Sequence, residues 1–65
     1  MSTVLLTTAQ SLQLRMVYNI KRRGETTTSA NNDRSWLAEN GFLEWQTGSG
    51  WQVAPAGHAW VETNP

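Results

Sequence analysis

Few side chains in this sequence could act as a catalytic base or hold a metal ion. The 65 residues include one histidine, His58, and no cysteine. Glu62 follows His58 by one helical turn, but two side chains do not make a metal site, because zinc sites use three or four protein ligands. No motif places a nucleophile beside His58. The sequence therefore predicts a protein that is not an enzyme and that uses no metal or cofactor.

A second group of polar residues has the chemistry for contacts with DNA bases. Asn31, Asn32, Arg34 and Ser35 lie close together in the sequence. Asparagine pairs with adenine and arginine with guanine in the major groove, so Arg34 is the residue expected to set a base preference. The alternative is that Asn31, Asn32 and Ser35 only cap a helix or form a turn.

Contacts with DNA phosphates are predicted from basic and hydroxyl side chains elsewhere. The candidates are Arg15, Lys21, Arg22, Arg23, Thr47 and Ser49. Thr47 and Ser49 belong to a predicted turn that could touch the DNA backbone. The run Lys21–Arg23 also suits the last turn of a helix, where positive charge complements the helix dipole, and this second interpretation stays open.

The charge is unevenly distributed along the chain. The net charge is zero. Residues 1–34 hold all five basic residues and two acids, which gives 5 − 2 = +3, and residues 35–65 hold three acids and no Lys or Arg, which gives −3. A non-specific polyanion binder usually has a clear basic excess. The pattern indicates a dipolar molecule instead.

The aromatic content supports a different hypothesis, a protein-binding surface. A chain of 65 residues makes one domain, residues 1–65, with a small core. It contains four tryptophans, and an exposed tryptophan is a typical hot spot of an interface. The interface candidates are Trp45, Trp51 and Tyr18. The alternative is that all four tryptophans are core residues. A homodimer would bury further surface.

The first predicted helix runs from Thr8 to about Arg22. Thr7 is its expected N-cap and Gln10 the partner of a capping box. Gly24 ends it. The apolar residues at helical spacing, which form one face, are Ala9, Leu12, Met16 and Ile20, and this stripe is widened by Leu14, Val17 and Tyr18. A stripe this broad indicates either deep burial or a second contact surface.

The polar stretch 25–32 has room for one helical turn at most, and a second helix follows it over residues 33–40. The plausible caps are Thr28, Ser29, Asn31 and Asn32, with Asn32 or Ser29 as the first choice. Trp36 and Leu37 are predicted to face the core, and Arg34, Ser35, Ala38 and Glu39 to face outward. Gly41 is the expected left-handed residue after the helix.

Two strands, residues 42–46 and 51–54, are predicted to form a hairpin. A three-residue loop pairs Gln46 with Gly50 and places Trp45 opposite Trp51, so that the apolar residues share one face. Pro55 suits the first position of a closing helix over residues 56–62.

The segment Trp36–Trp45 resembles the end of a winged-helix recognition helix and the strand after it, and residues 50–62 resemble the returning strand and the next helix. The resemblance implies an α+β fold: a small winged-helix-like domain of two main helices, a two-stranded β-hairpin wing and a short C-terminal helix. The N-terminal half departs from the pattern, since the second helix is shortened or absent.

The resemblance also implies a function. It implies a small DNA-binding transcriptional regulator that binds double-stranded DNA, of the size encoded by phages or mobile elements. The alternative is a protein-binding module, such as a phage-type inhibitor of a host protein, built on the same architecture. Val4–Leu6 is too short for a signal peptide and no run approaches a membrane span, so we expect a cytoplasmic protein without membrane contacts.

Overall fold

The computed structural model describes residues 5–64. Its elements in chain order are α1 (Thr8–Arg22), α2 (Asn32–Glu39), β1 (Leu43–Gln46), β2 (Gly50–Val53) and α3 (Pro55–Thr63). The two strands form an antiparallel hairpin between α2 and α3. This is the predicted α+β layout, and it is compatible with a winged-helix shape. Val4, which begins the apolar run considered above, lies outside the described residues.

The predicted ends of α1 are confirmed. The Thr7 hydroxyl accepts a hydrogen bond from the Gln10 backbone N–H at 3.1 Å, and the Gln10 side chain accepts one from the Thr7 N–H at 3.0 Å, which completes the capping box. Gly24 has a φ of 76°, as a glycine after a helix should. Both ends of α1 are therefore set by local sequence.

The wide apolar stripe of α1 is buried on one side only. Leu14 and Val17 are fully buried, whereas Leu12 is 57% exposed and Met16 is 44% exposed. Ala9 is also exposed. The apolar stripe of α1 extends over more than half of the helix circumference, so helical periodicity alone does not select a side. The selection comes from α2, β2 and α3, which all pack on the side of Leu14 and Val17.

The core forms where α1, α2 and the hairpin meet. Its buried members are Leu14, Val17, Leu37, Phe42, Leu43 and Trp51. Trp36 and Trp60 are half-buried at its margin. Gly41 has a φ of 84°, and the Phe42 N–H returns to the Leu37 carbonyl at 2.8 Å. The predicted glycine stop therefore turns Phe42 into the core.

The predicted hairpin register is confirmed. Gln46 pairs with Gly50 and Trp45 with Trp51. Gly50 has a φ of 78°, which a side chain would resist. The strands begin one residue away from the predicted positions, at Leu43 and Gly50. Because a slip of one residue would exchange the two faces, the match keeps Leu43 and Trp51 in the core.

Residues 25–31 lie along the hairpin without forming a helix. The Trp51 N–H donates to the Thr27 carbonyl at 2.9 Å, so this segment covers the edge of β2 that does not face β1. The N-cap of α2 is Asn31, whose side chain accepts from the Arg34 N–H at 2.8 Å. Among the plausible caps, the helix uses Asn31 rather than Asn32 or Ser29, because the segment stays extended through Asn31.

The closing helix α3 begins at Pro55, as predicted, and ends at Thr63. Within residues 5–64, no helix combines the length and the apolar character needed to cross a bilayer.

Candidate interaction surfaces

Arg34 is buried, so the prediction that it faces outward was wrong. Only 3% of the residue is exposed. Its Nε donates to the Gln13 side-chain oxygen at 2.9 Å, and its Nη1 donates to the Thr27 hydroxyl at 2.8 Å and to the Ser29 carbonyl at 2.9 Å. The face of α2 that meets α1 carries both Arg34 and Leu37, three residues apart, which is one turn of helix.

The guanidinium of Arg34 is surrounded by neutral acceptors. Burial lowers its pKa from the ordinary value, but arginine remains charged at neutral pH. The Ser29 carbonyl also accepts from the Trp51 indole N–H at 2.8 Å. Arg34 therefore ties α1, the segment 25–31 and the hairpin together, and its donors are not presented to a DNA base.

The other base-contact candidates are only partly free. The Asn31 side chain caps α2 and also donates to Gln13 at 3.3 Å, so for this residue the capping interpretation describes the structure. Asn32 and Ser35 are exposed on α2. Their charged neighbours on that helix are Asp33 and Glu39, since Arg34 is buried. The outer surface of α2 is therefore acidic.

The hairpin also carries an acidic residue and no basic one. Thr47 and Ser49 are exposed at its turn, as expected, and Glu44 is exposed on β1. Residues 35–64 contain no Lys or Arg at all. α2 and the hairpin thus present no exposed Lys or Arg.

The other basic residues lie on α1 or at its C-cap, and two of them, Arg15 and Arg22, border α3. The guanidinium carbon of Arg15 lies over the Trp60 ring, 5.2 Å from its centroid, and that of Arg22 lies 5.8 Å from the Tyr18 ring centroid. Arg23 instead pairs with Glu25 at 3.2 Å. The structure therefore places Arg15 and Arg22 on the α3 side of α1, whereas Asn31 contacts α1 at Gln13.

An open cleft follows the boundary between α1 and α3. One hollow has a volume of about 300 Å³, and its lining includes Arg15, Asn19, Val61 and Glu62. A second, of about 220 Å³, is lined in part by Lys21, Gln52, Val53 and His58. Tyr18 and Arg22 line both hollows. Sequence analysis missed this site, although Arg15, Tyr18 and Arg22 follow one another at helical spacing.

The three aromatic interface candidates differ in exposure. Trp45 is 51% exposed, whereas Trp51 is 6% exposed and belongs to the core. The two indole rings meet edge to face, with their centroids 5.2 Å apart. Tyr18 is half-buried and makes a similar contact with His58 at 5.4 Å. Trp45 is thus the candidate whose aromatic surface is free.

Comparison with protein-family models, with curated proteins and with solved structures finds no match. The assignment of a function therefore depends on the surfaces described above.

Proposed function

We propose that this protein is a protein-binding domain on a winged-helix-like scaffold, and that its interface is the exposed side of the hairpin around Trp45. The observation that carries the proposal is the burial of Arg34. Arg34 is the last basic residue of the sequence, so its burial leaves α2, the hairpin and α3 without an exposed Lys or Arg. This proposal keeps the second of the two sequence-based hypotheses.

The charge of α2 and the hairpin indicates the kind of partner. Asp33 and Glu39 are the acidic residues of α2, and Glu44 adds a negative charge on the face of β1 opposite Trp45. Potentials across an interface are usually complementary, and like charges oppose association. DNA phosphates would be repelled, whereas a protein with a basic surface would be attracted. We therefore propose a basic partner.

Trp45 supplies the apolar part of the interface. The Trp51 ring packs against the Trp45 ring on its buried side. The Trp51 indole N–H in turn donates a hydrogen bond to the Ser29 carbonyl, which holds both rings in place. A large side chain that is already held in place loses little conformational entropy on binding. Such rigid tryptophans are the residues that most often dominate a binding free energy.

A photo-crosslinking amino acid at position 45 tests the proposal directly. Ala59 is exposed on α3, and the same amino acid at that position is the matched control. We expect position 45 to cross-link one basic protein in cells and position 59 not to do so. Equal products from both positions, or cross-links to a second copy of the chain alone, would rule out the proposed partner.

Truncation of Trp45 should then weaken binding to the purified partner. Trp45→Ala is expected to raise the Kd at least about 30-fold, since hot-spot truncations cost about 2 kcal/mol or more. The melting temperature should fall only slightly because Trp45 lies outside the core cluster. Isothermal titration calorimetry measures the first effect and circular dichroism the second. Unchanged affinity would remove Trp45 from the interface.

Trp45 exposure has an independent test in the free protein. Iodide should quench one component of the tryptophan fluorescence, and this component should disappear in Trp45→Phe but remain in Trp51→Phe, because Trp51 is buried. If the two variants are quenched equally, the exposed indole is not Trp45.

Binding of double-stranded DNA, the first sequence-based hypothesis, is the second candidate function. It is favoured by one observation: α1 contains three basic residues, Arg15, Lys21 and Arg22, and no acid. Docking through α1 would replace the base contact proposed for Arg34. We would measure the anisotropy of labelled duplex DNA at about 50 mM and about 200 mM salt, because phosphate contacts weaken steeply as salt rises. Under the protein-binding proposal, no salt-dependent binding is expected.

A further inference from the structure

We propose that the cleft between α1 and α3 binds the phosphate group of a nucleotide-sized ligand. The proposal concerns the opposite charge and a different part of the molecule from the Trp45 surface, and it does not depend on the proposed function. It rests on three basic residues that line two neighbouring hollows, on the absence of ion pairs to them within residues 5–64, and on two cation–π contacts.

The first step is the charge balance of the cleft. Arg15, Lys21 and Arg22 line it, and Glu62 is the one carboxylate among its lining residues. The first hollow contains Arg15, Arg22 and Glu62, a sum of 2 − 1 = +1, and the second contains Lys21 and Arg22, a sum of 1 + 1 = +2. Both can therefore attract a phosphate monoester, which carries about −1.5 to −2 near neutral pH. Within residues 5–64, the side chains of these three basic residues have no ion pair and no hydrogen bond.

The second step is the orientation of the guanidinium groups. Arg15 lies over Trp60 and Arg22 over Tyr18. A guanidinium on an aromatic face is held by a cation–π contact, while its N–H donors lie in its own plane and remain able to bind. Planar N–H pairs fit the oxygens of a phosphate. The aromatic rings therefore hold two phosphate-binding forks in the absence of a ligand.

The third step is the size and lining of the cleft. The two hollows of about 300 Å³ and about 220 Å³ share Tyr18 and Arg22 as lining residues. Pockets for small organic ligands begin near about 300 Å³, so the first hollow is just large enough for one. Asn19, Gln52 and His58 add neutral hydrogen-bonding groups, and Val53 and Val61 add apolar walls. This mixture suits a phosphate joined to a sugar and base better than an inorganic ion alone.

The test is a titration of ¹⁵N-labelled protein with adenosine monophosphate at constant ionic strength, followed by nuclear magnetic resonance. The signals to follow are the Nε–H groups of Arg15 and Arg22 and the indole N–H of Trp60. We expect these signals to shift and to saturate, with adenosine causing no comparable change. Inorganic phosphate should bind at least fivefold more weakly, and equal affinity would overturn the nucleotide-sized ligand in favour of the ion alone.

Three matched substitutions remove one positive charge each. Arg15→Gln and Arg22→Gln should each reduce the affinity at least fivefold. Arg23→Gln should reduce it less than twofold, because Arg23 is paired with Glu25 and does not line the two hollows. Equal losses in all three variants would indicate attraction by overall charge. If no signal shifts at about 10 mM nucleotide, the cleft is not a binding site.

Discussion

Replacing Gly57 with alanine is expected to destabilise the protein by about 3 kcal/mol, the upper end of the cost of overpacking a core. Gly57 is the buried residue in the first turn of α3. A Cβ at this position would overlap the carbonyl oxygen of Phe42 and would lie 2.9 Å from Val53 Cγ1 and 3.2 Å from Leu14 Cδ1. The Phe42 carbonyl cannot withdraw freely, because it accepts a hydrogen bond from the Ala54 N–H at 3.0 Å.

A loss of stability is unusual when a glycine in a helix is replaced by alanine. At an exposed helical site, alanine stabilises relative to glycine by about 1 kcal/mol, so the predicted loss would come entirely from packing. Urea denaturation measures it. Gly48→Ala is the control, because Gly48 has a φ of 85° but open space around it, and it should cost about 1–2 kcal/mol through backbone strain alone. A Gly57→Ala protein as stable as the wild type would contradict the close approach of α3 to Phe42.

The features that could be predicted from sequence are those set by neighbouring residues. The capping box of α1 needs only Thr7 and Gln10, and the turn after α2 needs only Gly41. The hairpin register follows from apolar alternation on both sides of the loop, which places Trp45 opposite Trp51. In each case the information lies within a few residues, and tertiary packing does not compete with it.

The features that could not be predicted depend on contacts between distant parts of the chain. Arg34 looked like a surface residue because arginine is almost never fully buried without a partner. Its oxygen acceptors belong to Gln13, Thr27 and Ser29. Because these residues are uncharged, no pair of opposite charges in the sequence predicts that Arg34 is buried. The buried side of α1 could not be predicted for a related reason. The elements that pack against the helix determine that Leu14 is buried and Leu12 is not.

Of the two candidate surfaces, the one around Trp45 could be predicted from the sequence and the cleft between α1 and α3 could not. The exposure of Trp45 was one of the sequence-based alternatives, and the structure favours it. The cleft between α1 and α3 needs Trp60 and His58 from α3 beside Arg15 and Tyr18 from α1. Spacing within α1 places Arg15, Tyr18 and Arg22 on one side but does not indicate that α3 covers that side.

Arg34→Ala is expected to lower the free energy of unfolding by about 3 kcal/mol, because hydrogen bonds to a charged group contribute about 1.5–3 kcal/mol and an uncompensated polar site adds to the loss. The substitution leaves a cavity and removes three hydrogen bonds that join Gln13, Thr27 and Ser29. Arg23→Ala is the control for the loss of charge. Its pair with Glu25 is exposed, and such pairs contribute about 0–1 kcal/mol. Denaturation midpoints of the two variants measure the contrast.

Arg34→Lys separates charge from geometry. Lysine keeps the positive charge but lacks the planar fork, so it cannot donate to Gln13, Thr27 and Ser29 from the positions that the Nε and Nη1 groups occupy. We expect it to recover less than half of the loss in Arg34→Ala. If Arg34→Ala were as stable as the wild type, Arg34 would not be the buried link between α1, the segment 25–31 and the hairpin, and its guanidinium would be free to contact DNA. The acidic character of the α2 and hairpin surface, and with it the protein-binding proposal, would then lose its main support.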